Sequence, residues 1–390
     1  MTTVHRNALA WMAAAGVALA AGITNAATLN VCLDVCTHKT VQGAVDAAAS
    51  GDVIVVRPGR YVGNITIIGK SLEIIGVNNA PTQVVLIGDG VGPVFTLGAN
   101  NGGPYFDEFI YFVTVTGGSH FRGTAQGGGV QVRQGANLIL LGANVIGNTA
   151  AAGGGISINT PGGPTSLINT NCQISSNTAY IGGGVYVAPG SSVDLADECV
   201  VSNNTATGNP KLNTAGSGGG VYAEAGSTLV LAQPIITNNS ATAPTTCTSG
   251  PACDGAGGGV YALGKVTIIG TDITANNVYN PFGAARGGGL YVAANSGQVI
   301  GGSVIAHNFV YSSAAPAMGG GIFAFSKDPT VSWTLDQTAV LYNNQGSNDT
   351  SAPPSAGGVQ NVGKLVLTNG SLITGNFPSQ CVGGTGCPAN

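Results

Sequence analysis

A motif of three consecutive glycines followed by an aliphatic residue constrains this chain more than any other feature. It begins at residues 127, 153, 182, 218, 257, 287 and 319, and a degenerate copy spans residues 356–359. The copies lie 26 to 39 residues apart, a length that suits a three-strand solenoid coil and also suits helical repeats. Triple glycine and runs of β-branched residues disfavour helices. The sequence therefore predicts an all-β chain folded as a right-handed parallel β-helix with three short strands per coil.

An asparagine that closes a short apolar run is the second marker of each repeat. These residues are Asn148, Asn177, Asn204, Asn239, Asn277, Asn308, Asn344 and Asn376. Each follows the first glycine of its repeat by 20 to 25 residues but precedes the next triplet by 5 to 18 residues. The asparagines are predicted to stack as a structural ladder, although solvated turns use the same residue type.

Length variation between repeats is concentrated in the segment between this asparagine and the next glycine triplet. We therefore expect all the inserted loops to leave one edge of the stack, which is often the binding face of a repeat protein. The inserted loops are residues 205–217, 240–256, 278–286, 309–318 and 345–355.

The two positions directly after each triplet carry different residue types, and this difference predicts which side chain points into the barrel and which points outward. The first is aliphatic in five successive repeats, as expected for the inward face of a strand. The second should face outward and is aromatic in the same repeats: Tyr186, Tyr222, Tyr261, Tyr291 and Phe323. One interpretation is structural, because aligned rings on adjacent strands stabilise a sheet. The other is an exposed, flat aromatic strip, a candidate ligand-binding surface for sugar rings or for a partner protein.

The first 26 residues have the pattern of an export signal. Arg6 precedes an apolar stretch over residues 8–21, and small residues at positions 24–26 predict cleavage after Ala26. A membrane anchor is the alternative, but the stretch is short for a span. No later apolar run approaches the length of a span, so we expect no transmembrane segment in the mature chain. The expected location is secreted, extracellular or at the cell surface, with the periplasm as a further possibility.

The rest of the chain divides into three parts. Residues 27–52 are predicted as an N-terminal cap, residues 53–378 as the β-helix and residues 379–390 as a cysteine-containing tail. A short amphipathic helix in the cap would cover the open end of the apolar barrel, as solenoids require. Its apolar face would carry Val41, Ala44, Val45 and Ala48.

Eight cysteines lie after the predicted signal, and export permits disulfide bonds. Three pairs are close in sequence, and the members of the fourth stand five residues before the marker asparagine in consecutive repeats. The predicted disulfides are Cys32–Cys36, Cys172–Cys199, Cys247–Cys253 and Cys381–Cys387. No histidine has zinc-ligand spacing to these pairs, so we predict no metal site and no cofactor.

Two groups of segments resemble known β-helix families. The segments TVQGAV at 40–45, GDVIV at 51–55 and PGRY at 58–61 are similar to the opening of pectin-lyase-like proteins. The pairing of SSNTA at 175–179 with GGGVY at 182–186 resembles repeats of polymorphic outer-membrane proteins and related bacterial surface proteins. The resemblance implies a right-handed parallel β-helix in an exported protein. It does not imply one activity, because this superfamily holds lyases, hydrolases, esterases and adhesins.

Charged residues are sparse, at 7% of the chain with a net charge of −4. This balance, without basic runs, predicts no nucleic-acid partner. Two groupings are candidates for chemistry, with solvated surface residues as the default interpretation of both. The first, a conceivable calcium site, is Asp194, Asp197 and Glu198 with Glu224 one coil later; the second is Asp107, Glu108, His120 and Arg122.

Polysaccharide-cleaving enzymes of this kind use paired aspartates or a cation as base. The sequence has neither paired aspartates nor a cation that recurs at one repeat position, so we predict no catalytic residues. The predicted function is a secreted or cell-surface scaffold, non-enzymatic, that binds a polysaccharide or a surface protein along the aromatic strip and the inserted loops. The alternative is a polysaccharide lyase or glycoside hydrolase of the pectin-lyase-like superfamily.

Overall fold

The computed structural model describes residues 26–99, 104–121, 125–248, 250–293, 298–326, 332–347 and 355–388. The predicted signal up to residue 25, Arg122 and part of the last inserted loop lie outside these ranges. Within them the chain winds into coils whose strands pair only with parallel neighbours, forming sheets of up to twelve strands. Connections between parallel strands of one sheet are almost always right-handed. The fold is the predicted right-handed parallel β-helix.

Three sheets form the barrel, and we call them sheets I, II and III in the order in which each coil visits them. Sheet I contains Thr28–Val31, Val53–Val56, Leu72–Gly76, Phe106–Tyr111, Ala136–Leu141, Ser166–Asn169, Ser192–Ala196, Thr228–Ala232, Lys265–Ile269, Gln298–Gly301, Ser332–Asp336 and Lys364–Thr368. Sheet II contains Gly59–Val62, Val84–Ile87, Thr114–Thr116, Asn144–Ile146, Gln173–Ser175, Val200–Ser202, Ile235–Thr237, Asp272–Thr274, Val304–Ala306, Ala339–Leu341 and Leu372–Thr374. Sheet III contains Ile65–Ile68, Phe95–Gly98, Val130–Val132, Ile156–Ile158, Val185–Val187, Val221–Ala223, Val260–Ala262, Leu290–Ala293, Ile322–Phe325, Val359–Val362 and Cys381–Val382.

A fourth sheet, sheet IV, lies between sheets II and III, so the predicted three strands per coil describe only the first coils and the last one. It contains Ser119–His120, Thr149–Ala152, Thr178–Ile181, Thr205–Ala206, Ser240–Thr242, Asn277–Asn280, Phe309–Ser312 and Asn344–Ser347. Three return strands, Gly255–Ala256, Ala285–Arg286 and Ala317–Met318, pair beside it. The inserted loops leave the stack between sheets IV and III, on one edge, as far as the described residues show.

The extra strands form because the first residues of each inserted segment align with those of the neighbouring coils and include apolar residues that can be buried. Their inward side chains make a second small core, separate from the barrel: Ala206, Ala241, Val278, Ala285, Val310 and Ala317. Their variation in length between repeats predicts loops, but each segment begins with a strand of two to four residues. The shared register, not local propensity, makes them strands.

The barrel core is a set of aligned aliphatic columns. The inward position after each glycine triplet has no exposed surface, as predicted, in Val185, Val221, Val260, Leu290 and Ile322. Full burial of one such side chain stabilises the fold by about 1.5–3 kcal/mol. Repetition of this column along sheets I, II and III makes the barrel the main source of stability.

Glycine is required at the triplets because backbone from the next coil passes too close for a side chain. A Cβ on Gly219 would lie 2.3 Å from the Gly258 carbonyl oxygen and 2.5 Å from that of Ser240. The first glycine of the same triplet, Gly218, has φ +65°, a conformation that other residues rarely adopt. At the triplets, between sheets IV and III, the backbones of neighbouring coils thus lie too close together for a side chain.

A buried asparagine ladder holds the turn from sheet II to sheet IV. Asn239 shows the pattern: its Nδ2 donates to Asn276 Oδ1 and to the Val201 carbonyl, both at 2.9 Å. Its Oδ1 accepts from the Nδ2 and the backbone N–H of Asn204, both at 3.0 Å. The ladder consists of Asn148, Asn177, Asn204, Asn239, Asn276, Asn308, Asn343 and Asn376. It ends where Asn376 donates to Gln380 Oε1 at 3.0 Å.

The prediction was wrong by one residue in two repeats, because Asn276 and Asn343, not Asn277 and Asn344, are ladder members. Each ladder asparagine follows a residue in the left-handed region, and in these repeats that residue is Ala275 at φ 55° or Tyr342 at φ 53°. Asn277 and Asn344 instead begin the next strands of sheet IV.

Both ends of the barrel are covered. The predicted cap helix spans Val41–Ala47; the Thr40 side chain accepts from the Gly43 N–H at its start, and Val41, Ala44 and Val45 are buried. Short 3-10 turns occur at Val77–Asn79, Pro81–Gln83 and Pro251–Cys253. At the other end the tail crosses the last coil, where Thr385 donates to the Gly363 carbonyl and accepts from the Leu365 N–H.

All four predicted disulfides are present, and no free cysteine occurs among the described residues. The Cα atoms of Cys172 and Cys199, which join consecutive coils, are 4.5 Å apart. The other three bonds close short loops in the cap, in the 240–256 insertion and in the tail.

Candidate functional site

The aromatic residues after the glycine triplets form a continuous stack on the outer face of sheet III, which we call the aromatic ladder. Strand register aligns Tyr186 with Tyr222, Tyr222 with Tyr261, Tyr261 with Tyr291 and Tyr291 with Phe323. Successive ring centroids are 5.9, 4.8, 4.5 and 5.2 Å apart, and adjacent ring planes differ by only 13–19°. Sequence periodicity therefore identified the members and their alignment.

The ladder is less open than a flat, exposed strip. Tyr186 and Phe323 at its ends are buried, with 6% and 5% of their surface exposed, and the three middle rings are half-buried. Because each ring covers the face of its neighbour, only the edges of the three middle rings reach solvent. The prediction that these rings are exposed was wrong for the two ends, since stacking and the neighbouring coil turns cover them.

A carboxylate lies at one end of the ladder. The Tyr186 hydroxyl donates to Glu224 Oε1 at 3.4 Å. Burial, and secondarily the charge of Glu224, raises the pKa of Tyr186 to about 12. Burial also raises the pKa of Glu224, and the hydroxyl of Tyr186 opposes that shift. Glu224 belonged to a predicted acidic grouping, and the structure places it instead beside the ladder.

An ion pair lies at the other end. Arg286 Nη1 lies 2.8 Å from Asp254 Oδ2, and the guanidinium is 5.9 Å from the Phe323 ring centroid. Burial raises the pKa values of Tyr222, Tyr261 and Tyr291, and Arg286 opposes the shift for the last two. Sequence reasoning missed this pair. The available signal was that each residue closely precedes a glycine triplet, in adjacent coils.

The remaining acidic candidates do not form a metal site. Burial, followed by the charge of Asp197, raises the pKa of Asp194, whose Oδ1 is buried without a hydrogen-bond partner. Across the described ranges, no group of three or more His, Cys, Asp or Glu side chains could hold a metal ion.

Strand alternation separates the members of the second predicted grouping. Asp107 points outward and accepts from Asn137 Nδ2 at 2.9 Å, whereas Glu108 is fully buried in the barrel. His120 Nδ1 lies 3.1 Å from the Gln126 carbonyl, and Arg122 lies outside the described residues. The structure therefore does not assemble Asp107, Glu108 and His120 into one site.

Comparisons with known proteins find likeness only at the level of architecture. No family model matches the chain, and no curated protein matches it. Among solved structures, pectin methylesterase from Aspergillus niger is similar with 14% identity and a TM-score of 0.41, covering 85% of this chain and 89% of that one. Escherichia coli YbhC follows at 11% identity and a TM-score of 0.32, covering 92% and 87%. ORF18 of Geobacillus virus E2 has 12% identity and a TM-score of 0.29, covering 88% of this chain and 59% of that one. Likenesses this distant carry no conclusion about activity.

Proposed function

We propose that this chain is an extracellular, non-enzymatic β-helix scaffold that binds a polysaccharide along the edge of the aromatic ladder. The observation that supports this most is periodicity, because a phenol hydroxyl recurs in four consecutive coils from Tyr186 to Tyr291. Strand spacing places these groups about 4.8 Å apart. A polymer of sugar units can meet such a row with its own repeating hydroxyls. Glu224 lies beside Tyr186 at one end of this row, and the ion pair of Arg286 and Asp254 lies at the other end.

Location supports the same proposal. Four disulfide bonds favour an extracellular protein, because thiols stay reduced in the cytosol. In the part of the chain that the structure describes, no helix has the length and apolar character needed to cross a membrane.

The ion pair of Arg286 and Asp254 beside the ladder does not supply a free acid or base. Arg286 is held by one oxygen of Asp254, and the other oxygen accepts the Ala284 N–H at 2.8 Å. Both charges are therefore engaged in contacts within the protein. A lyase or hydrolase needs a base or an acid that is free to exchange protons with a sugar.

A glycan array with the mature protein tests the proposal, followed by affinity measurements on each glycan that binds. The decisive variant is Tyr222→Phe/Tyr261→Phe, which removes two hydroxyls and keeps the stack. Tyr111→Phe, on the outer face of sheet I, is the matched control. We expect the double variant to lose about fivefold or more in affinity, since each lost hydrogen bond costs about 0.5–1.5 kcal/mol.

Two results would overturn the proposal: binding of no polysaccharide, or unchanged affinity of the folded double variant for every polysaccharide bound. Reducing-sugar and unsaturated-product assays on the same polysaccharides test the enzymatic alternative. Product formation by the wild-type protein would show that it is a lyase or hydrolase and not a non-enzymatic scaffold.

A further inference from the structure

A second aromatic surface lies on the outer face of sheet IV. Alternate residues of its strands are buried in the side core, among them Ala241, Val278 and Val310. The residues between them therefore face outward. In the last strands these outward positions bring together Tyr279, Phe309 and Tyr311. We call this surface the sheet IV patch.

The patch is more exposed than the aromatic ladder. Tyr279 exposes 50% of its surface and Phe309 exposes 37%. The Tyr279 and Tyr311 rings stack with centroids 5.2 Å apart and planes 10° apart. Phe309 and Tyr311 lie side by side on one strand, with centroids 6.5 Å apart and planes 22° apart. The planes of the three rings are thus nearly parallel.

The residue opposite Tyr311 in the next strand is a glycine. Gly346 aligns with Tyr311. A Cβ at Gly346 would lie 3.3 Å from the Tyr311 ring and 3.5 Å from the Phe309 ring. Any larger side chain at this position would therefore lie against the ring pair.

Amide and hydroxyl groups border the rings. Asn277 and Asn344 align with Phe309 on either side, and Ser240 Oγ donates to Asn277 Oδ1 at 2.8 Å. The outward positions of the last four strands carry only such neutral polar groups, aromatic rings and Gly346. The patch therefore matches a ligand without charge.

We propose that the sheet IV patch binds a neutral polysaccharide segment, with pyranose C–H faces on Phe309 and Tyr311 and sugar hydroxyls on the asparagine amides. This site is separate from the ladder, because the inserted loops and glycine triplets lie between sheets IV and III. A protein partner fits less well. Three half-exposed rings offer roughly 300 Å², whereas a stable protein interface buries about 800 Å² per partner.

The experiment measures retention of folded protein on insoluble cellulose and chitin, and affinity electrophoresis in mannan, xylan and a soluble β-glucan. Polygalacturonate serves as the anionic comparator. Phe309→Ala removes one ring of the pair, and Gly346→Val covers the pair without removing a ring. The ladder variant Tyr222→Phe/Tyr261→Phe separates this proposal from the proposed function. Thermal melts by circular dichroism confirm that each variant is folded.

We expect at least one neutral polysaccharide to bind, with affinity reduced about tenfold or more in Phe309→Ala and in Gly346→Val. The ladder variant should retain that binding. Binding of none of the neutral polysaccharides overturns the proposal, even if polygalacturonate binds or a protein is captured. So does wild-type affinity in a folded Phe309→Ala variant. Loss of binding only in the ladder variant overturns it too and supports the ladder as the binding surface.

Discussion

Glu108 is a carboxyl group inside the apolar barrel, and replacing it should stabilise the protein at neutral pH. The residue has no exposed surface, and strand register places it between Leu72 and Leu138. Neither of its oxygens has a hydrogen-bond partner within the described part of the chain. Burial raises the pKa of this carboxyl to about 9, and the Leu72 backbone N–H opposes the shift without reaching hydrogen-bonding geometry.

The sign and size of the effect follow from the two pKa values. In the unfolded chain the group titrates near 4.5, so the folded state keeps its proton to a higher pH. Its contribution to stability is therefore complete below about pH 4.5 and is lost as the pH rises toward 9. Each pH unit in this window costs about 1.4 kcal/mol, which amounts to about 3 kcal/mol at pH 7.

Denaturant unfolding of wild-type protein, Glu108→Gln and Glu108→Leu at pH 5, 7 and 8 measures this cost. The advantage of the glutamine variant over wild type should grow by about 1.4 kcal/mol per pH unit, because glutamine does not titrate. The leucine variant should be more stable still, since it buries no polar group between Leu72 and Leu138. Asp107→Asn, on the outward face of the same strand, is the control and should follow the wild-type slope. Parallel pH profiles for wild type and Glu108→Gln would refute the reasoning.

Three further predictions concern the repeat itself. Asn239→Ala should lower the free energy of unfolding by about 3–6 kcal/mol, because several buried backbone and amide groups lose their partner. Asn277→Ala should lower it by less than about 1 kcal/mol, and equal losses in the two variants would contradict the membership of Asn276 in the ladder. Gly219→Ala should destabilise by about 3 kcal/mol or more, since its Cβ would meet backbone oxygens at 2.3 and 2.5 Å; a melting temperature within a degree of wild type would contradict the close approach of the backbones at the triplets. Replacing Cys172 and Cys199 together by alanine should lower the free energy of unfolding by about 3–4 kcal/mol, given the 27-residue separation of the two cysteines. Thiol titration of the wild-type protein, denatured but not reduced, should find no reactive thiol.

Fold class and strand direction were predictable because they repeat. A single Gly-Gly-Gly-Val segment permits many conformations, but successive copies followed by an aliphatic and an aromatic residue permit few. The inward direction of Val221 and the stacking of Tyr222 on Tyr261 follow from that repetition. The same logic predicted the disulfide between Cys172 and Cys199, because equivalent positions in neighbouring coils are stacked.

Features set by a single residue's context were not predictable in this way. Asn276 and Asn277 are identical residues side by side, and only the left-handed conformation of Ala275 decides which one enters the ladder. The strand Phe106–Tyr111 has apolar residues on both of its alternating faces, so its pattern does not reveal that Glu108 points inward. Pairing with Leu72 and Leu138, which are distant in sequence, fixes that direction.

The two aromatic surfaces differ because their surroundings differ, not because their residues do. On sheet III aromatic rings align in five successive coils, so each ring face is covered by its neighbour and only the edges of the three middle rings reach solvent. On sheet IV the run is interrupted by Gly346, so the pair Phe309 and Tyr311 ends the stack next to a residue without a side chain. Ring edges with phenol groups suit a ligand rich in hydroxyls, whereas exposed rings next to a glycine suit the C–H face of a sugar. After its sheet IV strand, each inserted segment continues between these surfaces, and the inserted segments pack on their own side core. Changes in insertion length can therefore alter the space between the two surfaces without disturbing the barrel, whose columns are fixed by the glycine triplets and the asparagine ladder.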